Sequence, residues 1–382
     1  VNPADATWID TESGITTLAR RLREVRFFCL DTEFHRERTY FPQLALIQIN
    51  VEGAVFLVDP TAVDPVAVAS LFQGDELVVL HAAQQDLDVL QLTCDVRLEN
   101  IFDTQIAAGF IGYATPSLQS LVQRELGISL PKGDRLTDWL RRPLTTDQCA
   151  YAAADVVHLP ALHESITRQL VDSGRVDWAK DACRELAARP SSLVDPSTAW
   201  LRVKDVRTLK PRARGVAQAV AEWREVRAQR LNVPVRHVLA DLALLGIAQR
   251  APKSVDELAQ SRGVDGRHTK GSIAREILDA VERGRDLEVT YPRNDVEEFD
   301  RDLRPAATLI SAWISEVAAR EKIEVAMLGT RSDIIDFLRG NPDARLRHGW
   351  RAQLVGSDLG DLVSGVAGIA FDGAGGLRLF RG

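Results

Sequence analysis

Residues 25–33 read VRFFCLDTE, an apolar run that ends in two acids separated by a single residue. The aromatic and aliphatic content of this run predicts the first buried strand of a domain. Side chains in a strand alternate faces, so Asp31 and Glu33 project to the same side, about 7 Å apart along the chain. If that side is dry, each carboxylate raises the pKa of the other. At an effective dielectric of ~20, two unit charges 4 Å apart repel by about 4 kcal/mol. Water at a solvated strand end relieves such repulsion; a bound cation reverses its sign. The choice turns on what the rest of the chain supplies.

Around this run the first 170 residues alternate strand and helix signals. LALIQINVEGAVFLVD (44–59) holds two β-rich runs meeting at Glu52-Gly53, the pattern of a hairpin. VAVASLF (66–72) reads as helical, ELVVLHA (76–82) as a strand and QQDLDVLQLT (84–93) as a helix. The expectation is an α/β domain with a mixed sheet flanked by helices. Helical spacing dominates from SLQSLVQRELG (117–127) onward, and LTTDQ (144–148) opens a further helix with Thr145 or Thr146 as N-cap.

Asp86 falls where a strand joins a helix, the place where loops at the carboxyl ends of strands build sites. Asp88 faces elsewhere on that helix and reads as an exposed first-turn acid, and His81 as a satisfied core histidine. In CAYAAADVVHL (149–159), Tyr151 and Asp155 are i and i+4, stacked on one helix face. Three alanines between them let this helix lie close against its neighbour.

With 382 residues, 45% hydrophobic and 26% charged, the chain has the composition of a soluble globular protein of two or three domains. No apolar run approaches the ~18–20 residues that span a bilayer, and a cytoplasmic location is expected. Cys29, Cys94, Cys149 and Cys183 form no C-x-x-C pair, so they read as buried thiols. The net charge of −7 is unevenly spread: residues 1–200 carry 17 Lys and Arg against 28 Asp and Glu, whereas 201–250 carry 11 against 4. An acidic first domain is followed by a basic connector.

That connector lies in RPSSLVDPSTAWLRVKDVRTLKPRAR (189–214), whose prolines and small polar residues read as a linker. A second, acidic break spans DLEVTYPRNDVEEFDRDLRP (286–305). The pieces beyond each break align without a gap at an offset of 90, Trp223 onto Trp313, which predicts a duplicated helical module with both tryptophans in its core. The expected boundaries are a catalytic domain over 1–190, linkers over 191–211 and 293–304, and helical domains over 212–292 and 305–382.

An acidic pair ending strand one, an Asp after a later strand and Y-x-x-x-D on a helix together resemble the DEDD superfamily of 3′-to-5′ exonucleases, in its DEDDy subgroup. DTEFHRERTYFPQLALIQI, HAAQQDLDVL, FDTQIAAGF and TDWLRRPLTTDQCAYAAADV resemble the ribonuclease D family across the first 170 residues, and the helical modules resemble HRDC domains. The second module departs further, with GTRSDI where the first has LADLAL. The resemblance implies a ribonuclease H-like exonuclease domain followed by two small all-α HRDC-like domains. It further implies metal-dependent removal of nucleoside 5′-monophosphates from RNA 3′ ends, those of tRNA precursors among them.

The same resemblance implies two divalent cations, Mg²⁺ or Mn²⁺, held by Asp31, Glu33, Asp86 and Asp155, with Tyr151 orienting the attacking water. In it His35 and Lys132 contact the terminal nucleotide or its phosphate. Lys204, Arg207, Lys210, Arg212 and Arg214, followed by Arg224 and Arg227, are candidates to track an RNA backbone. A DNA-directed exonuclease and a non-catalytic RNA scaffold are the competing readings.

Overall fold

The computed structural model describes residues 6–130, 137–291 and 295–382, with the backbone alone over 295–301. The chain forms two compact units: Val1–Phe34, Leu44–Pro190 and Asp295–Gly382 make one, His35–Gln43 and Ser191–Asn294 the other. The first unit opens with β1 (Thr7–Ile9), α1 (Glu12–Leu22), β2 (Phe27–His35), β3 (Gln43–Val51), β4 (Ala54–Val58), α2 (Pro65–Ala69), β5 (Leu77–Leu80), α3 (Gln84–Cys94) and β6 (Ile101–Asp103). Helices α4 (Thr104–Gly109), α5 (Leu118–Leu126), α6 (Thr146–Val157), α7 (Leu159–Asp172) and α8 (Val176–Ala187) follow.

The six strands lie in the order β1-β4-β3-β2-β5-β6. β3 and β4 are antiparallel, joined at Glu52-Gly53, both with positive φ; β1 runs parallel to β4, and β5 parallel to β2 and β6. The sheet is therefore mixed, as expected. Its two faces bury different cores. Phe28, Leu30, Ile47 and Ile49 pack with residues of α1 and α3 on one face. Cys29 packs with Ala153 and Val156 of α6 on the other, and strand alternation sends Asp31 and Glu33 to that same side.

The second unit contains α9 (Pro211–Leu231), α10 (Val235–Val238), α11 (Asp241–Arg250), α12 (Val255–Ala259) and α13 (Gly271–Arg285). Residues 191–211, expected as a linker, instead contribute to this core. Two 3₁₀ turns, Pro196–Arg202 and Val206–Thr208, bury Trp200, Val203, Val206 and Leu209 against residues of α9 and α13. The loop after β2 also belongs here. Tyr40 donates its hydroxyl to Glu225 at 2.6 Å, and the Phe41 N–H donates to Asn232 Oδ1 at 3.0 Å.

The C-terminal part comprises α14 (Asp295–Glu321), α15 (Val325–Leu328), α16 (Arg331–Leu338), α17 (Gly349–Arg351), α18 (Ser357–Val363) and the hairpin β7 (Ala367–Phe371) and β8 (Leu377–Arg381). The stretch expected as the 293–304 linker is thus helical from Asp295. The duplication is visible in three dimensions: α9 and α14 each end in a left-handed residue, Asn232 (φ 50°) and Lys322 (φ 53°), and a four-residue helix and a longer one follow. Both tryptophans are buried and donate their indole N–H to an acid, Trp223 to Glu276 and Trp313 to Asp358. The hairpin adds strands to a module expected to be all helical.

The second module does not hang apart. Its core is continuous with α4, α5, α7 and α8. Trp350 stacks on Trp178 at 5.5 Å and meets Phe110 edge-on at 5.0 Å, and Arg175 pairs with Glu321 at 2.9 Å. Large aromatics of this kind bury too much apolar area to be left at a mobile interface.

Candidate active site

Two elements bring the acids together. Strand β2 carries Asp31 and Glu33 in its C-terminal half, and α6 carries Tyr151 and Asp155 one turn apart. Helix α6 starts at Thr145, whose side chain accepts the Gln148 N–H while its own N–H donates to Gln148 Oε1. Ala152, Ala153 and Ala154 are buried, which lets the helix settle close to the sheet. The result is that carboxylate oxygens of Asp31, Glu33 and Asp155 lie within 4.8 Å of one another.

Asp86 stands behind this trio, buried in the first turn of α3. Its Oδ1 accepts the Thr32 N–H at 3.1 Å and the Thr32 hydroxyl at 2.5 Å. Thr32 sits between the two acids of β2, so this tie locks α3 to the strand end and commits one oxygen of Asp86. Only its second oxygen is left to face the others.

Burial, reinforced by mutual repulsion, holds these acids well above the carboxylate range. Glu33 is pushed up to about 8 by burial and by Asp155 and Asp86. Asp155 is pushed up to about 7 by burial and by Asp86. Burial raises Asp86 to about 7 despite the hydrogen bonds from Thr32, and Asp31 rises for the same reason, with Asp86, Asp155 and Glu33 adding to it. No Lys or Arg pairs with any of the four among the described residues.

Several supporting groups escaped the sequence reading. Asp103 caps α4 by accepting from Gln105 and Ile106, and it also accepts the Ala82 and Ala83 N–H groups, fixing the turn that delivers Asp86. The Tyr151 ring stacks on Trp139, centroids 6.0 Å apart. Trp139 is held in turn by Arg142, which donates to its carbonyl at 2.6 Å, to Ala45 O at 2.6 Å and to both oxygens of Asp59. Burial would raise the Asp59 carboxyl, but hydrogen bonds from Arg142 and Thr61 outweigh it and hold it low. The one local signal for any of these was the Asp-Thr-Gln cap after β6.

The remaining candidates are dispersed. His35 ends β2, half-buried; Lys132 lies outside the described residues. Lys204, Arg207, Lys210 and Arg212 are exposed, and Arg214 lies over the Tyr291 ring at 4.4 Å. Arg224 and Arg227 are not free to track a backbone. Arg224 is buried and pairs with Asp241 at 2.7 Å, and Arg227 pairs with Glu276 at 2.6 Å. His81 is satisfied, its ring nitrogens on Thr104 Oγ1 and Pro116 O, but it is half-buried rather than in the core, and Asp88 is half-buried rather than exposed.

This donor set fits a hard divalent cation. It is all oxygen, it is anionic, and without a counter-charge it is destabilised by its own repulsion. The chain also resembles known proteins. The 3′-5′ exonuclease family matches residues 6–171 and the HRDC domain family residues 213–281. The chain is 34% identical to ribonuclease D of Gluconacetobacter diazotrophicus, over 97% of this chain and 95% of that one. It is 34% identical to ribonuclease D of Jannaschia sp., covering 96% and 97%. Among solved structures it resembles Escherichia coli RNase D, described as an exoribonuclease involved in structured RNA processing, with TM-score 0.81 and 28% identity over 94% of this chain and 99% of that one.

Proposed function

Because the chain belongs to the ribonuclease D family of 3′-5′ exoribonucleases, we propose that its acidic centre cleaves the terminal phosphodiester of RNA with two divalent cations, Mg²⁺ or Mn²⁺, releasing nucleoside 5′-monophosphates. One observation carries this reading: Asp31, Glu33 and Asp155 converge, with Asp86 behind them and no described basic side chain to balance the group. Asp31, Glu33 and Asp155 would hold one cation; Asp31, with Asp86 acting through water, would hold the other. Bound there, such ions neutralise charge at phosphorus and lower the pKa of the attacking water. The Tyr151 hydroxyl orients that water from the adjacent helical turn, and the Trp139 ring fixes the direction in which the phenol points.

Lys204, Arg207, Lys210, Arg212 and Arg214 offer the positive charge that the catalytic domain lacks, and His35 and Lys132 contact the terminal nucleotide. The substrate we infer is the 3′ end of structured RNA, tRNA precursors among them, in the cytoplasm. The relative from Escherichia coli, described as an exoribonuclease involved in structured RNA processing, supports the structured-RNA part of this reading.

The test is degradation of matched 5′-labelled single-stranded RNA and DNA. We expect stepwise shortening of RNA from its 3′ end, release of 5′-monophosphates and complete arrest by EDTA. Faster turnover of DNA would favour a DNA-directed enzyme. Products bearing a 3′-phosphate, or activity that survives EDTA, would reject the two-cation reading.

A further inference from the structure

Gln48, in the middle of β3, is fully buried, and neither its amide nitrogen nor its amide oxygen has a hydrogen-bond partner among the described residues. Its neighbours show which way it faces. Asn50, two residues on and therefore on the same face, donates to the carbonyls of Val156 and Val157 at the end of α6. Leu46, two residues back, packs in a cluster with Leu57, Trp139 and Ala152. Leu57 is also the residue directly opposite Gln48 across the β3–β4 pair. Gln48 is thus bracketed beneath α6, between Ala152 and Val156, at the level from which Asp155 projects. On its other flank β3 borders β2, which presents Asp31 and Glu33 to this same face.

A primary amide buried on both of its atoms loses its hydration and gains nothing in return unless some state of the protein supplies a partner. The apolar wall of Leu46, Leu57 and Ala152 offers none, and the nearby α6 carbonyls are taken by Asn50. Cys149 and Tyr151 also pack against that wall, but a carboxylate is the stronger acceptor for an amide N–H, and this face presents those of Asp31 and Asp155. A neutral donor suits them: lysine or arginine here would compete with a cation, and a further carboxylate would add to the repulsion, whereas an amide N–H orients a carboxylate without changing the charge of the site.

We propose that Gln48 is a positioning residue of the exonuclease centre: in the cation-loaded state its side-chain amide, which has no partner among the described residues, turns to donate to the Asp31 or Asp155 carboxylate and holds it in the orientation that grips the ion. This rests on reading those acids as a cation site.

The test uses Gln48→Met, which keeps the volume and removes the amide, and Gln48→Asn, which keeps an amide too short to reach. Each is compared with the full-length wild-type chain for thermal midpoint in EDTA, Mn²⁺ affinity by calorimetric titration, and kcat and KM on an oligoribonucleotide. We expect a midpoint in EDTA at or above wild type for Gln48→Met. For both variants the Mn²⁺ dissociation constant should rise about 10- to 100-fold and kcat should fall comparably, with KM for RNA unchanged. Wild-type Mn²⁺ affinity and kcat in either folded variant overturn the inference alone. Absence of Mn²⁺ binding by the wild-type chain overturns the inference and the cation-site reading together.

Discussion

In the acidic centre, Asp31, Glu33, Asp86 and Asp155 crowd together with no basic partner among the described residues. Within the same compact unit, where α8 meets the C-terminal module, Glu185 and Asp333 are clasped by arginines. Arg351 donates to Glu185 at 2.7 Å, and Arg345 bridges Glu185 at 2.8 Å and Asp333 at 3.0 Å. Burial alone would raise the Asp333 carboxyl, but hydrogen bonds from Thr330 and the Arg345 charge pull it below its ordinary range. In the centre no described basic side chain offsets burial, the hydrogen bonds from Thr32 are outweighed, and the acids rise. Charge density is similar in the two places; charge balance differs. A balanced cluster stabilises the fold, and an unbalanced one stores repulsion that a ligand can relieve.

The contrast yields opposite outcomes for the same kind of substitution. Asp155→Asn is expected to reduce kcat by about three orders of magnitude or more while leaving RNA binding measurable and raising the thermal midpoint in EDTA, because it removes repulsion along with a ligand. Glu185→Ala is expected to leave kcat intact but to cost about 2–3 kcal/mol in urea unfolding, since it strands Arg351, whose side chain is only 4% exposed. The double variant Glu185→Ala, Arg351→Met should recover part of that loss. A stabilised and active Asp155→Asn, or an inactive Glu185→Ala, would erase the distinction.

The two clusters also separate along pH. The folded pKa values of Glu33, Asp86 and Asp155 lie above their unfolded values, so the folded state binds more protons and ionisation works against it. Their contribution to stability in EDTA is greatest below pH ~4 and is lost as pH rises towards about 8 for Glu33 and about 7 for the other two. Asp333, with a depressed folded pKa, contributes stability above its unfolded value of about 4 and loses it only as pH falls further. Urea midpoints in EDTA should therefore decline between pH 5 and 8 in the wild type and decline less in Asp155→Asn. Saturating Mg²⁺ should flatten the wild-type curve.

The smallest effect is expected in the second unit. Replacing Lys204, Arg207, Lys210 and Arg212 together by alanine should raise KM for RNA several-fold without changing kcat. It should also lower the salt slope of binding by roughly 0.7 for each phosphate that is no longer neutralised. An unchanged salt slope would remove these residues from the RNA path.

What the sequence made legible was local. The alternation that places Asp31 beside Glu33 and the four-residue spacing of Tyr151 and Asp155 are properties of single elements, and the structure keeps both. The ties from Thr32 to Asp86 and from Arg142 to Asp59 join residues 54 and 83 positions apart, and only the folded sheet brings them together. Gln48 was hidden by its own strand, where an amide among aliphatics gives no sign of which face it takes until a neighbour such as Asn50 is placed. The 191–211 stretch misled through composition. Its prolines and bases suggested a linker, yet Trp200, Val203, Val206 and Leu209 recur every third residue, the period of the 3₁₀ turns that bury them. The duplication at an offset of 90 was legible because helix, cap and following helices all repeat, whereas the hairpin that closes the second copy has no counterpart among the described residues of the first.

Anomalous diffraction from a crystal of the full chain soaked with Mn²⁺ and a nucleoside 5′-monophosphate tests the central claim most directly. The account predicts two peaks roughly 3.5–4 Å apart, one touching Asp31, Glu33 and Asp155 and the other shared between Asp31 and the water side of Asp86. A map with no peak among these carboxylates, at a Mn²⁺ concentration that supports RNA cleavage in solution, would contradict it.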